Sequence, residues 1–449
     1  MNDGDSQSNS LATDHSSSLK KVSTGIQGFD EITGGGLPAG RPTLVCGSAG
    51  CGKSLFGIEF LVRGATEFDE PGVFVTFEET GEELAANVKS LGFDLDQLSE
   101  ENQIAIDYVR VERSEIEENG EYDLEGLFIR LGFAIDSIGA KRIVLDTIET
   151  LFSGLSNLAI VRSELRRLFR WLKDKGVTAV ITGERGDGQL TRQGLEEYVS
   201  DCVVMLDQRI IDQVSTRRLR IVKYRGTSHG TNEYPFLIDE EGIVVMPLSS
   251  IALNHTVSEE RISSGVDAID EMLGKKGFYR GSSVLVSGTA GIGKSSLAAH
   301  LTHAACVRGE RVLYIAMEES PDQIVRNMRS IGLDLAPFAT NGLLQLHSIR
   351  ATSTGIEQHL VRFYKMVKRF QPSVVVVDPI SSLESGGTFN DANSMVTRLV
   401  DFLKTQGATA FLTSLTSGDA AIEKTSLSTH GCCYETWKPI ANVIDCFTC

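Results

Sequence analysis

Gly47-Ser48-Ala49-Gly50-Cys51-Gly52-Lys53-Ser54 and Gly288-Thr289-Ala290-Gly291-Ile292-Gly293-Lys294-Ser295 each place four free positions between a glycine and Gly-Lys-Ser. Apolar runs of strand character, Thr43-Leu44-Val45-Cys46 and Val284-Leu285-Val286-Ser287, precede them, and helix-like segments follow. Strand, glycine-rich turn and helix in that order form the context of a phosphate cradle. Small side chains let consecutive backbone N–H groups close around phosphate oxygens, and the helix turns its positive end toward them. Lys53 and Lys294 are expected to reach the β and γ phosphates, and the Ser54 and Ser295 hydroxyls to ligate Mg²⁺. With Leu55 and Ser296 completing the binding stretches, nucleoside triphosphate is expected to bind twice.

The second half of the chain repeats the first. Ser23-Thr24-Gly25-Ile26 with Phe29-Asp30-Glu31 returns as Ser263-Ser264-Gly265-Val266 with Ile269-Asp270-Glu271. Val73 to Glu79 returns as Val312 to Glu319, Leu91 to Leu95 as Ile331 to Leu335, Arg142 to Asp146 as Val374 to Asp378, and Lys175 to Val180 as Gln406 to Phe411. Blocks repeating in one order mean a duplicated domain. In each copy β-branched runs alternate with amphipathic segments such as Val161 to Lys173, where Leu165, Leu168, Phe169 and Leu172 share a helical face. That pattern predicts an α/β fold, a mostly parallel sheet with helices on both faces and ligand sites at the strands' carboxyl ends. Val203 to Leu206 and Arg217 to Tyr224 read as further strands.

The expected division is a disordered tail at 1–20, a first domain at 21–248, a linker at 249–260, a truncated second domain at 261–428 and a divergent Cys-rich tail at 429–449. The last segment shows no strand alternation and no counterpart in the first half. Its Cys432, Cys433, Cys446 and Cys449 have spacing that permits zinc, although adjacent cysteines make a poor tetrahedral pair. An altered reading frame or a degenerate terminus is the simpler expectation.

A length of 449 residues suits more than one core, and 41% hydrophobic content without a bilayer-length apolar run or secretory signal fits a soluble protein. The net charge of −17 argues against nucleic acid as the main partner. The 8 cysteines form no disulfide-framework pattern, and a reducing cytoplasm is the simplest setting.

Chemistry is expected where acids repeat. Glu78-Glu79 and Glu318-Glu319 close equivalent strands, where a carboxylate could orient or deprotonate attacking water. Asp146 and Asp378 each end an apolar run, as a Mg²⁺-holding acid at a sheet edge must. Lys223 and Arg225 alternate on one strand and so face one side; an Arg fork suits phosphate. The acidic stretch Glu112 to Asp123 reads as a solvated loop.

Val22 to Ser428 resembles the KaiC family of double-domain, RecA-like ATPases and autokinases. The resemblance is carried by Gly72-Val73-Phe74-Val75-Thr76-Phe77-Glu78-Glu79-Thr80 and by Arg225-Gly226-Thr227-Ser228-His229 with Glu233-Tyr234-Pro235-Phe236. It implies tandem RecA-like P-loop domains, a six-membered ring with ATP between neighbours, and clock-type signalling. It also implies that Lys223, Tyr224, Arg225, Thr227 and His229 serve the adjacent protomer's nucleotide, with Lys223 and Arg225 as fingers. By the same resemblance Ser90 contacts nucleotide, Glu78 and Glu79 are catalytic, Glu318 and Glu319 serve phosphotransfer, Glu318 joins Asp378 on the metal side, and Ser428-Thr429 matches the phosphorylated pair. The second copy has no Lys-x-Arg-Gly segment, so hydrolysis is expected at the first site and impaired kinase activity at the second. The alternatives are a DNA-dependent RecA-like recombinase or helicase, and a catalytically weakened scaffold.

Overall fold

The computed structural model describes residues 19–109, 124–152, 157–186, 200–211, 214–247, 258–386, 389–416, 432–436 and 446–447. The acidic stretch Glu112 to Asp123, the linker apart from residues 258–260, and Ser428 and Thr429 lie outside them.

The first domain begins with β1 (Lys21–Val22), α1 (Phe29–Thr33), β2 (Leu37–Pro38), β3 (Pro42–Gly47), α2 (Lys53–Phe68), β4 (Gly72–Thr76), α3 (Gly81–Lys89), α4 (Leu95–Glu100) and β5 (Ile104–Tyr108). It continues with α5 (Glu125–Ile138), β6 (Arg142–Asp146), α6 (Ile148–Leu151), α7 (Leu158–Lys175), β7 (Thr178–Glu184), β8 (Cys202–Ile211), β9 (Val214–Tyr224), β10 (Glu233–Asp239) and β11 (Gly242–Val245). The second domain has β12 (Arg261–Ile262), α8 (Asp267–Met272), β13 (Phe278–Tyr279), β14 (Ser283–Gly288), α9 (Lys294–Val307), β15 (Val312–Ala316), α10 (Pro321–Ser330), α11 (Ala336–Thr340) and β16 (Leu344–Ser348). After these come α12 (Ile356–Phe370), β17 (Val374–Asp378), α13 (Phe389–Thr405), β18 (Thr409–Leu415), β19 (Cys432–Thr436) and β20 (Cys446–Phe447).

The large sheets run β11-β10-β9-β8-β3-β7-β6-β4-β5 and β16-β15-β17-β18-β14-β19-β20. Read from opposite edges, they share the parallel order β5-β4-β6-β7-β3-β8 and β16-β15-β17-β18-β14-β19. The alternating pattern in the sequence thus becomes two mainly parallel sheets with helices packed on them. Helix α7 illustrates why. Val161, Leu165, Leu168 and Leu172 are fully buried, the Asn157 side chain accepts from Ala159 N (3.0 Å), and Gly176 ends the helix at φ 72°.

The segment in which the sequence shows no strand alternation contains one. Cys432–Thr436 lies parallel to β14, with Val284 opposite Cys433, much as Thr43 lies opposite Cys202 in the first domain. Without it the free edge of β14 would present unpaired N–H and C=O groups, so sheet context supplies what local propensity does not.

Arg142 is a fully buried guanidinium on β6. It donates to Glu70 (2.7 Å), to Phe60 O (2.7 Å) and to Ser23 O (2.9 Å), tying together the chain's entrance, α2 and the sheet. Arg142→Ala strands two carbonyls and a carboxylate, and we expect urea denaturation to report a loss of about 3 kcal/mol or more from the first domain.

Helix α12 of the second domain rests on β9, β10 and β11 of the first. Leu237, Val244 and Met246 share one apolar cluster with Leu360, Val361 and Tyr364. Around it Arg218 pairs with Glu357 (2.9 Å), Lys365 with Asp239 (2.7 Å) and Glu241 (2.8 Å), and Arg369 with Glu241 (3.0 Å). Among the described residues no helix is long and apolar enough to cross a membrane.

Candidate functional site

Each phosphate loop leaves the carboxyl end of a central strand and enters a helix through a glycine in the left-handed region, Gly52 at φ 105° and Gly293 at φ 94°. A side chain at Gly52 would be strained, and its Cβ would press within 2.9 Å of Ile238 Cδ1. Ser48, Ala49 and Gly50 in the first loop and Thr289, Ala290 and Gly291 in the second are exposed. Behind them the ammonium groups are fixed. Lys53 Nζ donates to Gly47 O (3.2 Å) and Ser48 O (3.0 Å), and Lys294 Nζ to Gly288 O (2.9 Å) and Thr289 O (2.8 Å). Burial lowers the Lys294 pKa, while Asp378 and Glu318 act the other way.

The acids converge from neighbouring strands. Asp146 accepts hydrogen bonds from the Thr182 and Ser54 hydroxyls. Burial pushes its carboxyl above the usual range, with those hydroxyls and Lys53 opposing. Asp378 accepts from Thr413 and from the Tyr314 hydroxyl (2.6 Å). Tyr314 occupies the position of Phe74 in the first copy, so the second aspartate has a donor for which Phe74 has no equivalent group.

Glu78 and Glu79 stand just past β4, and Glu318 and Glu319 just past β15. Thr150 donates to Glu78 Oε1 (2.9 Å) and Ser382 to Glu318 Oε1 (2.9 Å). Asn87 and Asn327 each lie 3.4 Å from the second glutamate of their pair. The turns then close in capping boxes, Thr80 with Glu83 and Ser320 with Gln323. A backbone bond also joins each acid turn to its aspartate strand, Phe77 N to Asp146 O (3.0 Å) and Met317 N to Asp378 O (2.8 Å). Sequence reasoning named the acids and missed Thr150, Thr182, Asn87, Ser382, Thr413 and Asn327, which hold them. Their signal was recurrence at matching places in the two copies.

Ser90 and the Lys223 to His229 segment are not part of this cluster. Ser90 caps the far end of α3, about 15 Å along the helix from Thr80. Tyr224 pairs with Cys202, which pairs with Thr43 at the amino end of β3, whereas the phosphate loop begins at Gly47. Along the sheet that separation is about 13 Å, and two strand spacings add about 10 Å sideways. The segment is tethered there: Tyr224 donates to Gly36 O (2.8 Å), and Lys21 Nζ approaches Thr227 Oγ1 (3.2 Å). The Arg225 side chain is 58% exposed and lies 3.6 Å from Asp201 Oδ1, while Lys173 holds Asp201 Oδ2 at 2.6 Å. His229 packs beside Tyr224, and its Nδ1 is buried without a hydrogen-bond partner among the described residues.

A family model described as "ATPase: KaiC" matches residues 22–250 and 262–432. The chain is 61% identical to the circadian clock protein KaiC2 of Synechocystis sp. over 92% of its length and 73% of the relative's. It is 38% identical to the circadian clock oscillator protein KaiC of Parathermosynechococcus lividus, over 92% of this chain and 77% of that one. With the protein of the same description from Synechococcus elongatus it shares 39% identity over 88% and 76% of the two chains.

Proposed function

The chain belongs to the KaiC family of ATPases, and from that premise we propose that it is a Mg²⁺-dependent ATPase whose first site is completed by a neighbouring copy. The observation that carries this reading is the separation just described: the Lys223 to His229 segment sits at the opposite end of the sheet from the phosphate loop of its own domain. An exposed guanidinium held there can serve a triphosphate only across a subunit boundary, which a closed ring, here a hexamer, provides.

In the first site Lys53 and the loop's N–H groups bind the β and γ phosphates, and Glu78, held by Thr150, with Glu79 orients the attacking water. The hydroxyl and carboxylate donors fit Mg²⁺, with Ser54 and Asp146 in the first site and Ser295, Asp378 and Glu318 in the second. Bound there, the ion would neutralise charge on the phosphates. The second domain, through Glu318 and Glu319, is assigned a Ser/Thr autokinase role directed at Ser428 and Thr429. A role in clock-type regulation is supported by relatives described as circadian clock proteins.

The test is ATP turnover by the Glu78→Gln/Glu79→Gln double variant. A fall of about 10²-fold or more is expected with nucleotide binding retained, and unchanged turnover would remove the first domain from the chemistry.

A second reading, DNA-dependent ATPase, draws on α7, where exposed Arg162, Arg166 and Arg170 recur every fourth position without an ion pair to any described residue. Oligonucleotide-stimulated turnover that declines steeply with salt would favour it. No stimulation is expected. A weakened scaffold would instead show no nucleotide-dependent assembly by gel filtration.

A further inference from the structure

Glu59 lies one and a half turns into α2, behind the first phosphate loop, and is 1% exposed. Its Oε2 accepts from Ile243 N at 2.7 Å, and its carboxylate fills the space beside Gly242, where a Cβ would meet it at 2.5 Å. It therefore holds the β10–β11 turn from inside. That turn has two other attachments. Ile238 on β10 touches the position a Cβ would take at Gly52 of the phosphate loop, and Asp239 and Glu241 bind Lys365 and Arg369 of the second domain. Its flanking Leu237 and Val244 enter the apolar cluster shared with α12.

We infer that Glu59 is a positioning residue whose protonation ties the first phosphate loop to the second domain through the β10–β11 turn. This rests on the first loop being the nucleotide site proposed above. The charged groups facing Glu59 are Arg63 from its own helix, with Nε 3.6 Å away, and Asp239 from β10, while β11 presents the Ile243 N–H. Arg63 also donates to Glu241 O at 2.9 Å. Ionised Glu59 accepts more strongly from Ile243 N, but it also competes for that guanidinium, repels Asp239 and demands water in a buried site; burial being the largest of these effects, the turn loosens. Protonated Glu59 leaves Arg63 on the turn.

Burial raises the Glu59 pKa from 4.5 to about 7. The folded state thus holds this proton more tightly than the unfolded chain. Its stabilising effect is complete below the unfolded value and is lost as pH rises through about 7.

The test is amide hydrogen exchange of residues 356–370 in the full chain without nucleotide, expressed as protection relative to each amide's intrinsic rate. Between pH 6 and pH 8, protection in the parent is expected to fall several-fold, a change on the order of 3- to 10-fold. Glu59→Gln, which keeps an acceptor for Ile243 N, should remove that pH dependence. Asp239→Asn removes a like charge and should move the transition to lower pH. In a Lys294→Ala background, which leaves only the first loop to bind nucleotide, adding ATP at pH 8 should change protection, and adding Lys53→Ala should abolish that change. A parent and Glu59→Gln with the same pH profile would overturn the inference, as would an unmoved transition in Asp239→Asn. If ATP has no effect while the pH profiles differ, the proton link stands and the nucleotide reading of the loop fails.

Discussion

Lys223→Ala/Arg225→Ala protein is expected to hydrolyse ATP about 10³-fold more slowly than the parent, the scale seen when a finger cation is lost from phosphoryl transfer. Binding of nucleotide should persist, because both residues lie at the strand end remote from their own phosphate loop. Mixing supplies the sharper readout. A Lys53→Ala subunit has a disabled loop and intact fingers, whereas the double variant has the reverse. Each alone should be nearly inactive, and equimolar mixtures should recover a substantial fraction of parental turnover, since some interfaces then combine a sound loop with sound fingers. Failure to recover, with mixed assemblies present, would place the fingers in their own protomer or outside the chemistry.

Lys53→Ala/Lys294→Ala should abolish nucleotide binding at both sites, and each single variant should reduce the stoichiometry measured by calorimetry from two per chain to one. Each ammonium is held by two loop carbonyls and faces the exposed loop. Charge-assisted bonds to phosphate contribute about 1.5–3 kcal/mol apiece, so losing two weakens binding by roughly 10²-fold or more. Two sites of unchanged affinity in the double variant would end the reading of these loops as phosphate cradles.

Much of this arrangement was legible in the chain itself. The loops, the acid pairs and the strand-ending aspartates are local patterns whose spacing states their geometry, and the duplication doubled each signal. The supporting hydroxyls and amides were harder to see, because Thr182 and Thr150 acquire meaning only when β7 and α6 are laid beside β6 and the acid turn. Glu59 was invisible for a related reason: an acid among the buried residues of α2, it takes its role from a turn far along the chain at Gly242. The strand at Cys432–Thr436 was missed because its pairing comes from β14 and not from its own residues.

The seating of α12 on β9, β10 and β11 has a geometric consequence for any assembly. An apolar cluster flanked by ion pairs couples the two domains. Whatever rotation relates adjacent copies through their first domains is then imposed on their second domains as well. Both tiers must then share a single symmetry axis and an equal number of members, and a twist in one tier is felt in the other.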